Sequence, residues 1–82
     1  MKLLMFSSET CAGCHQMERF LPDICNEANI PLTIANVAEK ADLATKYHVG
    51  GLPTLILFKN DEPIKRLTGS LTERRFMTWL GC

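Results

Sequence analysis

The 82-residue chain is predicted to adopt an α/β fold in the order β-α-β-α-β-β-α, and three features of the sequence point there. The run Leu3-Leu4-Met5-Phe6 is short, continuous and apolar, as a fully buried strand is. A stretch of helical periodicity follows it, and then the alternating, β-branched segment Leu32-Thr33-Ile34-Ala35-Asn36-Val37, which together make a strand–helix–strand unit. Farther on, two strand-like segments flank Lys59-Asn60-Asp61-Glu62, a turn short enough to join them as an antiparallel hairpin.

Taken in order, the first strand is expected at residues 3–6, and a helix from Cys11 to about Asn29. Along that helix Cys14, Met17, Leu21, Ile24, Cys25 and Ala28 fall at three- and four-residue spacings, with Phe20 beside them, while His15, Gln16, Glu18, Arg19 and Glu27 face elsewhere. Pro22 lacks a backbone donor and crowds the preceding turn, so one helix with a kink near Glu18 is expected rather than two. Strand two spans 32–37 and runs parallel to strand one, because a crossover helix joins them. A short helix at 42–47 rests on Leu43, Ala44 and Tyr47; strands three and four occupy 54–58 and 63–68. Ser70-Leu71-Thr72-Glu73 fits the capping-box pattern and opens a last helix that buries Phe76, Trp79 and Leu80.

Composition bounds the function. Nine basic residues balance nine acidic ones, without the positive excess of a nucleic-acid or anionic-membrane binder. At 46% hydrophobic the chain can fill the core of one domain, expected to span residues 1–82. The apolar run near Met1 is shorter than the roughly 7–15 residues of a signal peptide's apolar region or the roughly 20 of a membrane span. The expected compartment is therefore a reducing cytoplasm, where structural disulfides rarely persist.

Four cysteines stand in that setting: Cys11, Cys14, Cys25 and Cys82. Two structural bridges would allow three pairings, but the core content and the expected compartment count against that scheme. Cys11-Ala12-Gly13-Cys14 places two thiols three positions apart at the start of a helix, where a disulfide can close. There, free backbone donors and the positive dipole end favour a thiolate, the reactive form of cysteine. Cys11, at the edge, is expected to attack a substrate disulfide, and Cys14, one turn in, to resolve the mixed disulfide. The competing reading is half of a zinc site, which needs two further ligands. Of the candidates, His15 points about 100° away around the helix, Cys25 lies about 16 Å along the axis, and Cys82 is terminal. Cys25 is expected to be a small buried hydrophobe, Cys82 an exposed thiol, and His48 a solvated surface residue. His15 shares a helix face with Cys11 and leans toward it; a cationic ring there would stabilise the thiolate, with Glu9 and Glu18 opposing through their charge.

A second motif, Gly50-Gly51-Leu52-Pro53-Thr54, sets a proline at the opening of a strand after two glycines. With CxxC about forty residues before it, the segment from Lys46 to Leu55, the hairpin turn at Phe58-Lys59-Asn60-Asp61-Glu62 and the loop Thr68-Gly69-Ser70, the chain resembles the thioredoxin family over nearly its whole length. The resemblance implies a thioredoxin-like fold with a four-stranded mixed sheet in the order 2-1-3-4, flanked by helices. It implies a cis Leu52–Pro53 bond, a loop packed against the thiol pair, and a substrate-binding surface of Thr10, Ala12, Gly13, Gly51, Leu52, Pro53 and Gly69. The activity implied is reduction of protein disulfides by a Cys11–Cys14 redox-active disulfide in a monomer with no bound cofactor. An NADPH-dependent thioredoxin reductase would recharge it. The short chain also resembles glutaredoxins, which glutathione recharges, although the tyrosine common between their cysteines is absent; a non-catalytic binding module or metal carrier is the third reading. Where the family carries tryptophan before the first cysteine, this chain has Thr10, and Ala12-Gly13 stands in place of glycine-proline. The family's buried aspartate falls on Met5 and its lysine partner on Ile34, so the proton-handling pair that assists the second thiol is missing.

Overall fold

A computed structural model describes residues 1–81, and Cys82 lies outside the described residues. The elements are β1 (Lys2–Ser7), α1 (Ala12–Glu18), α2 (Leu21–Glu27), β2 (Leu32–Asn36), α3 (Ala41–Lys46), β3 (Thr54–Lys59), β4 (Glu62–Thr68) and α4 (Glu73–Leu80). They build one sheet in the order β2-β1-β3-β4, as expected. β1 runs parallel to β2, and the β1–β3 and β3–β4 pairs are antiparallel.

β1 and β3 are the inner strands, so successive side chains alternate between two covered faces. Leu3, Met5, Leu55 and Leu57 point to one face and pack against Cys14, Met17, Leu21, Ile24 and Cys25 of α1 and α2, and against Phe76 and Leu80 of α4. Leu4, Phe6, Ile56 and Phe58 point to the other, where Leu43, Ala44 and Tyr47 cover them. The Tyr47 ring lies 6.3 Å from that of Phe6 and 5.7 Å, edge-on, from that of Phe58. Helices therefore cover both faces, and a continuous apolar strand is what such a sheet requires. Phe6 and Phe76 are fully buried, a change worth about 1.5–3 kcal/mol for each side chain.

The structure corrects two expectations. The long first helix is two helices, because the missing N–H of Pro22 leaves the carbonyl of Glu18 without its helical partner. The chain tightens instead: Arg19 N–H donates to the Gln16 carbonyl and Phe20 N–H to that of Met17, both over three residues, before Ile24 N–H restarts the regular pattern on Phe20. Pro22 then sits in the first turn of α2, where an N–H would have no partner. The second correction is the cap of α4. Thr72, not Ser70, is the N-cap, its Oγ1 accepting from Arg75 N–H at 3.3 Å. Gly81, at φ 92°, closes the same helix in the left-handed conformation that glycine tolerates. The β3–β4 turn is carried by Asn60 and Asp61 at φ 53° and 65°, residue types that accept this region in tight hairpins. No helix among the described residues is long and apolar enough to cross a membrane.

Candidate active site

The site forms where β1 ends and α1 begins. Cys11 is the N-cap of α1, in extended conformation, and its Sγ accepts the backbone N–H of Cys14 at 3.1 Å. A sulfur in that position occupies the place of an oxygen cap, and the N–H would stabilise negative charge on it. The two residues are joined as a disulfide with Cα atoms 5.3 Å apart, within the range such bonds span. Cys14 is fully buried on the apolar face of α1, whereas Cys11 keeps part of its surface open to solvent. The edge and interior positions expected from the helix phase are those observed.

Two loops converge on this pair. The Leu52–Pro53 bond is cis, and Pro53 is buried. Gly13, between the cysteines, approaches so closely that a Cβ there would stand 3.0 Å from Cβ of Ser70 and 3.6 Å from Cδ of Pro53. Glycine is what lets the backbone of α1 close on both loops. Gly69, at φ 118°, donates its N–H to the Pro53 carbonyl at 2.8 Å. The buried Thr54 hydroxyl donates to the Gly51 carbonyl at 2.6 Å and lies 3.2 Å from Oγ1 of Thr68. The proline loop and the glycine loop are thus bonded to each other, and both abut Gly13. Leu52 packs partly buried against both cores, and Thr10 and Ala12 are exposed beside Cys11.

Met5 is fully buried, and its partner across the β1–β2 register is Ile34, which is exposed. The two departures from the resemblance therefore face each other on adjacent strands, and no ionisable side chain comes from either. His15 is exposed, and its ring does lean toward the N-terminus of α1. Its nitrogens are bonded to other partners than Cys11: Nε2 lies 2.8 Å from the Glu9 carbonyl and Nδ1 3.1 Å from Oε2 of Glu18. The Glu9 carbonyl first, and then the Glu18 carboxylate, raise its pKa above the ordinary histidine value. Cys25 is buried in the core as expected, and His48 is exposed. Among the described residues, no three His, Cys, Asp or Glu side chains gather as a metal site would need.

Sequence reasoning, through the resemblance, set the loop Thr68-Gly69-Ser70 beside the active site, where Ser70 stands against Gly13, but missed that this place takes Ser70 away from the helix cap. It also missed that Glu18 pairs with His15, although their three-residue spacing on a helix announces such a pair.

Comparison with known proteins follows the same lines. Solved structures with this architecture include thioredoxin 1 from Thermosipho africanus TCF52B (TM-score 0.88, 21% identity, 98% of this chain and 90% of that one). Another is a mutant thioredoxin from Halobacterium salinarum NRC-1 (TM-score 0.87, 26% identity, 94% and 68%). Among curated proteins, a thioredoxin of Mycobacterium tuberculosis H37Rv is 34% identical over 70 residues, 83% of this chain, which spans only 60% of that relative's length. A thioredoxin of Buchnera aphidicola is 31% identical over 80 residues, covering 95% of this chain and 73% of that protein. A bifunctional thioredoxin reductase/thioredoxin of Mycobacterium leprae is 31% identical over 70 residues, 83% of this chain and 15% of that one. The family model for thioredoxin matches residues 1–81, and with a cysteine pair at the head of α1 facing a cis-proline loop, the chain belongs to the thioredoxin family.

Proposed function

We propose that the chain is a thiol–disulfide oxidoreductase, acting as one thioredoxin-like domain that reduces protein disulfides through Cys11 and Cys14. The observation that carries this reading is the asymmetry of the bridged pair, with a part-exposed sulfur capping α1 and a buried one a turn behind it. In the reduced protein the Cys11 thiolate, stabilised by Cys14 N–H, attacks one sulfur of a substrate disulfide. That bond breaks, the departing sulfur takes a proton, and Cys11 is left in a mixed disulfide. Cys14 loses its proton and attacks Cys11 Sγ, closing the Cys11–Cys14 bond and expelling the second substrate thiolate, which is protonated in turn. Two electrons and two protons have then passed to the substrate. Thr10, Ala12, Gly13, Gly51, Leu52, Pro53 and Gly69 would border the substrate segment. Because Met5 and Ile34 provide no carboxylate–lysine pair, the proton of Cys14 would leave through solvent or the substrate.

For the return of electrons we propose an NADPH-dependent thioredoxin reductase; the relative whose name joins reductase and thioredoxin in one chain supports that choice. The test is a coupled assay on the oxidised protein. NADPH with thioredoxin reductase should regenerate the dithiol and sustain reduction of insulin disulfides, and glutathione with glutathione reductase should do so at a small fraction of that rate. The reverse ranking would transfer the chain to glutathione-dependent chemistry, and no turnover with either donor would favour a binding or metal-carrier role.

A further inference from the structure

We propose that His15 is a positioning residue, an imidazolium that grips the Glu9 carbonyl and the Glu18 carboxylate together and so holds the loop entering Cys11 against α1. The proposal rests on the reading of Cys11 as the attacking thiol, and it assigns a role to a side chain that does not bond to either sulfur.

The geometry specifies the protonation state. A backbone carbonyl and an ionised carboxylate are both acceptors only, and the neutral imidazole offers a single N–H. Bonds from Nε2 to Glu9 at 2.8 Å and from Nδ1 to Glu18 at 3.1 Å therefore require both nitrogens to donate. When the proton leaves to solvent, one nitrogen becomes an acceptor facing an acceptor, and one of the two contacts is lost. The grip spans the nucleophile: Glu9 precedes Cys11 by two residues, and Glu18 closes α1. Between them, Cys11 N–H donates to the Ser8 carbonyl at 3.3 Å and the Cys11 carbonyl accepts from His15 N–H at 3.2 Å. Holding both ends fixes the joint that sets the Cys11 sulfur at the cap. The groups facing the ring are Glu9 and Glu18 with Ser7, Ser8 and Asn36, while Ile34 of β2 adds no charge. The Glu9 carbonyl and the negative Glu18 carboxylate both favour the cation, in keeping with the raised pKa. The sign follows: the grip is complete below about pH 6.5, the ordinary histidine value, and is lost as pH rises through the higher folded one.

The oxidised protein tests the geometry without substrate. Nitrogen-15 NMR should find both His15 ring nitrogens protonated at pH 6. The Cys11 amide should exchange with solvent about two- to fivefold faster in His15→Ala than in wild type, the range an exposed charge-assisted contact supports. In a Cys14→Ser background, the pH profile of Cys11 alkylation should show a second step at the His15 midpoint, absent from His15→Ala. Glu18→Gln should move the ring midpoint and that step down in pH together. Wild-type exchange and alkylation in His15→Lys would overturn the proposal, because a bare positive charge would then suffice. A neutral His15 at pH 6, or a step that stays in place in Glu18→Gln, would also overturn it. The ring and exchange readings need no catalysis, so a protein inactive toward disulfides but still gripped would count against the oxidoreductase reading alone.

Discussion

One buried hydroxyl ties the proline loop to the rest of the site. Thr54 is fully buried, and its Oγ1 donates to the Gly51 carbonyl just before the cis bond while meeting Thr68 across the β3–β4 pair. Thr54→Val keeps the shape and removes the donor, leaving the Gly51 carbonyl without it. The expected cost is about 1–3 kcal/mol in urea unfolding, the usual penalty for a partly buried group losing its partner. A change near zero would mean that packing alone holds the loop. Residues of this kind are hard to read in sequence, since a threonine opening a strand looks like any β-branched residue. The cysteine pair was legible because two thiols at helix-start spacing have few other uses. His15 was legible in direction and not in partners: its lean toward the N-terminus follows from helix geometry, whereas its bond to the Glu9 carbonyl depends on how the loop before Cys11 folds.

At the scale of elements, local rules worked where a single signal was present and failed where two competed. Ser70 and Thr72 both have cap chemistry and stand two residues apart, and the capping-box pattern chose the first. The structure uses the second because Ser70 is held against Gly13, in the loop that follows β4. Thr72→Ala should therefore destabilise the protein by about 1 kcal/mol, as loss of an N-cap does. Ser70→Ala should stay within about 0.5 kcal/mol, the usual range for an exposed side chain. Chemical denaturation of the two variants decides the placement, and the opposite ranking would restore Ser70 as the cap. Pro22 was recognised as the disturbance in the first helix, but the loss of the bond to Glu18 spreads over Arg19 and Phe20, whose N–H groups both turn to three-residue partners. That is enough to end one helix and begin another.

For the whole molecule, the β1–β2 and β3–β4 pairings were readable in pattern, whereas the order 2-1-3-4, which sets β1 beside β3, came with the family resemblance. Continuous apolar runs in β1 and β3 demand neighbours on both sides and cover on both faces, the crossover makes β2 parallel to β1, and a tight turn pairs β3 with β4. The cis bond at Pro53 came from the family resemblance rather than from pattern, since few X–Pro bonds are cis in general. The architecture then brings three distant segments, around residues 11–14, 51–54 and 68–70, to one end of the sheet. The central claim is that at this end Cys11 attacks and Cys14 resolves. Its most direct test is to mix the reduced Cys14→Ser variant with a disulfide-containing protein and map the products by mass spectrometry. The account predicts a stable mixed disulfide carried on Cys11 and absent from Cys11→Ser. An adduct on another cysteine, or release of fully reduced substrate by Cys14→Ser at the wild-type rate, would contradict it.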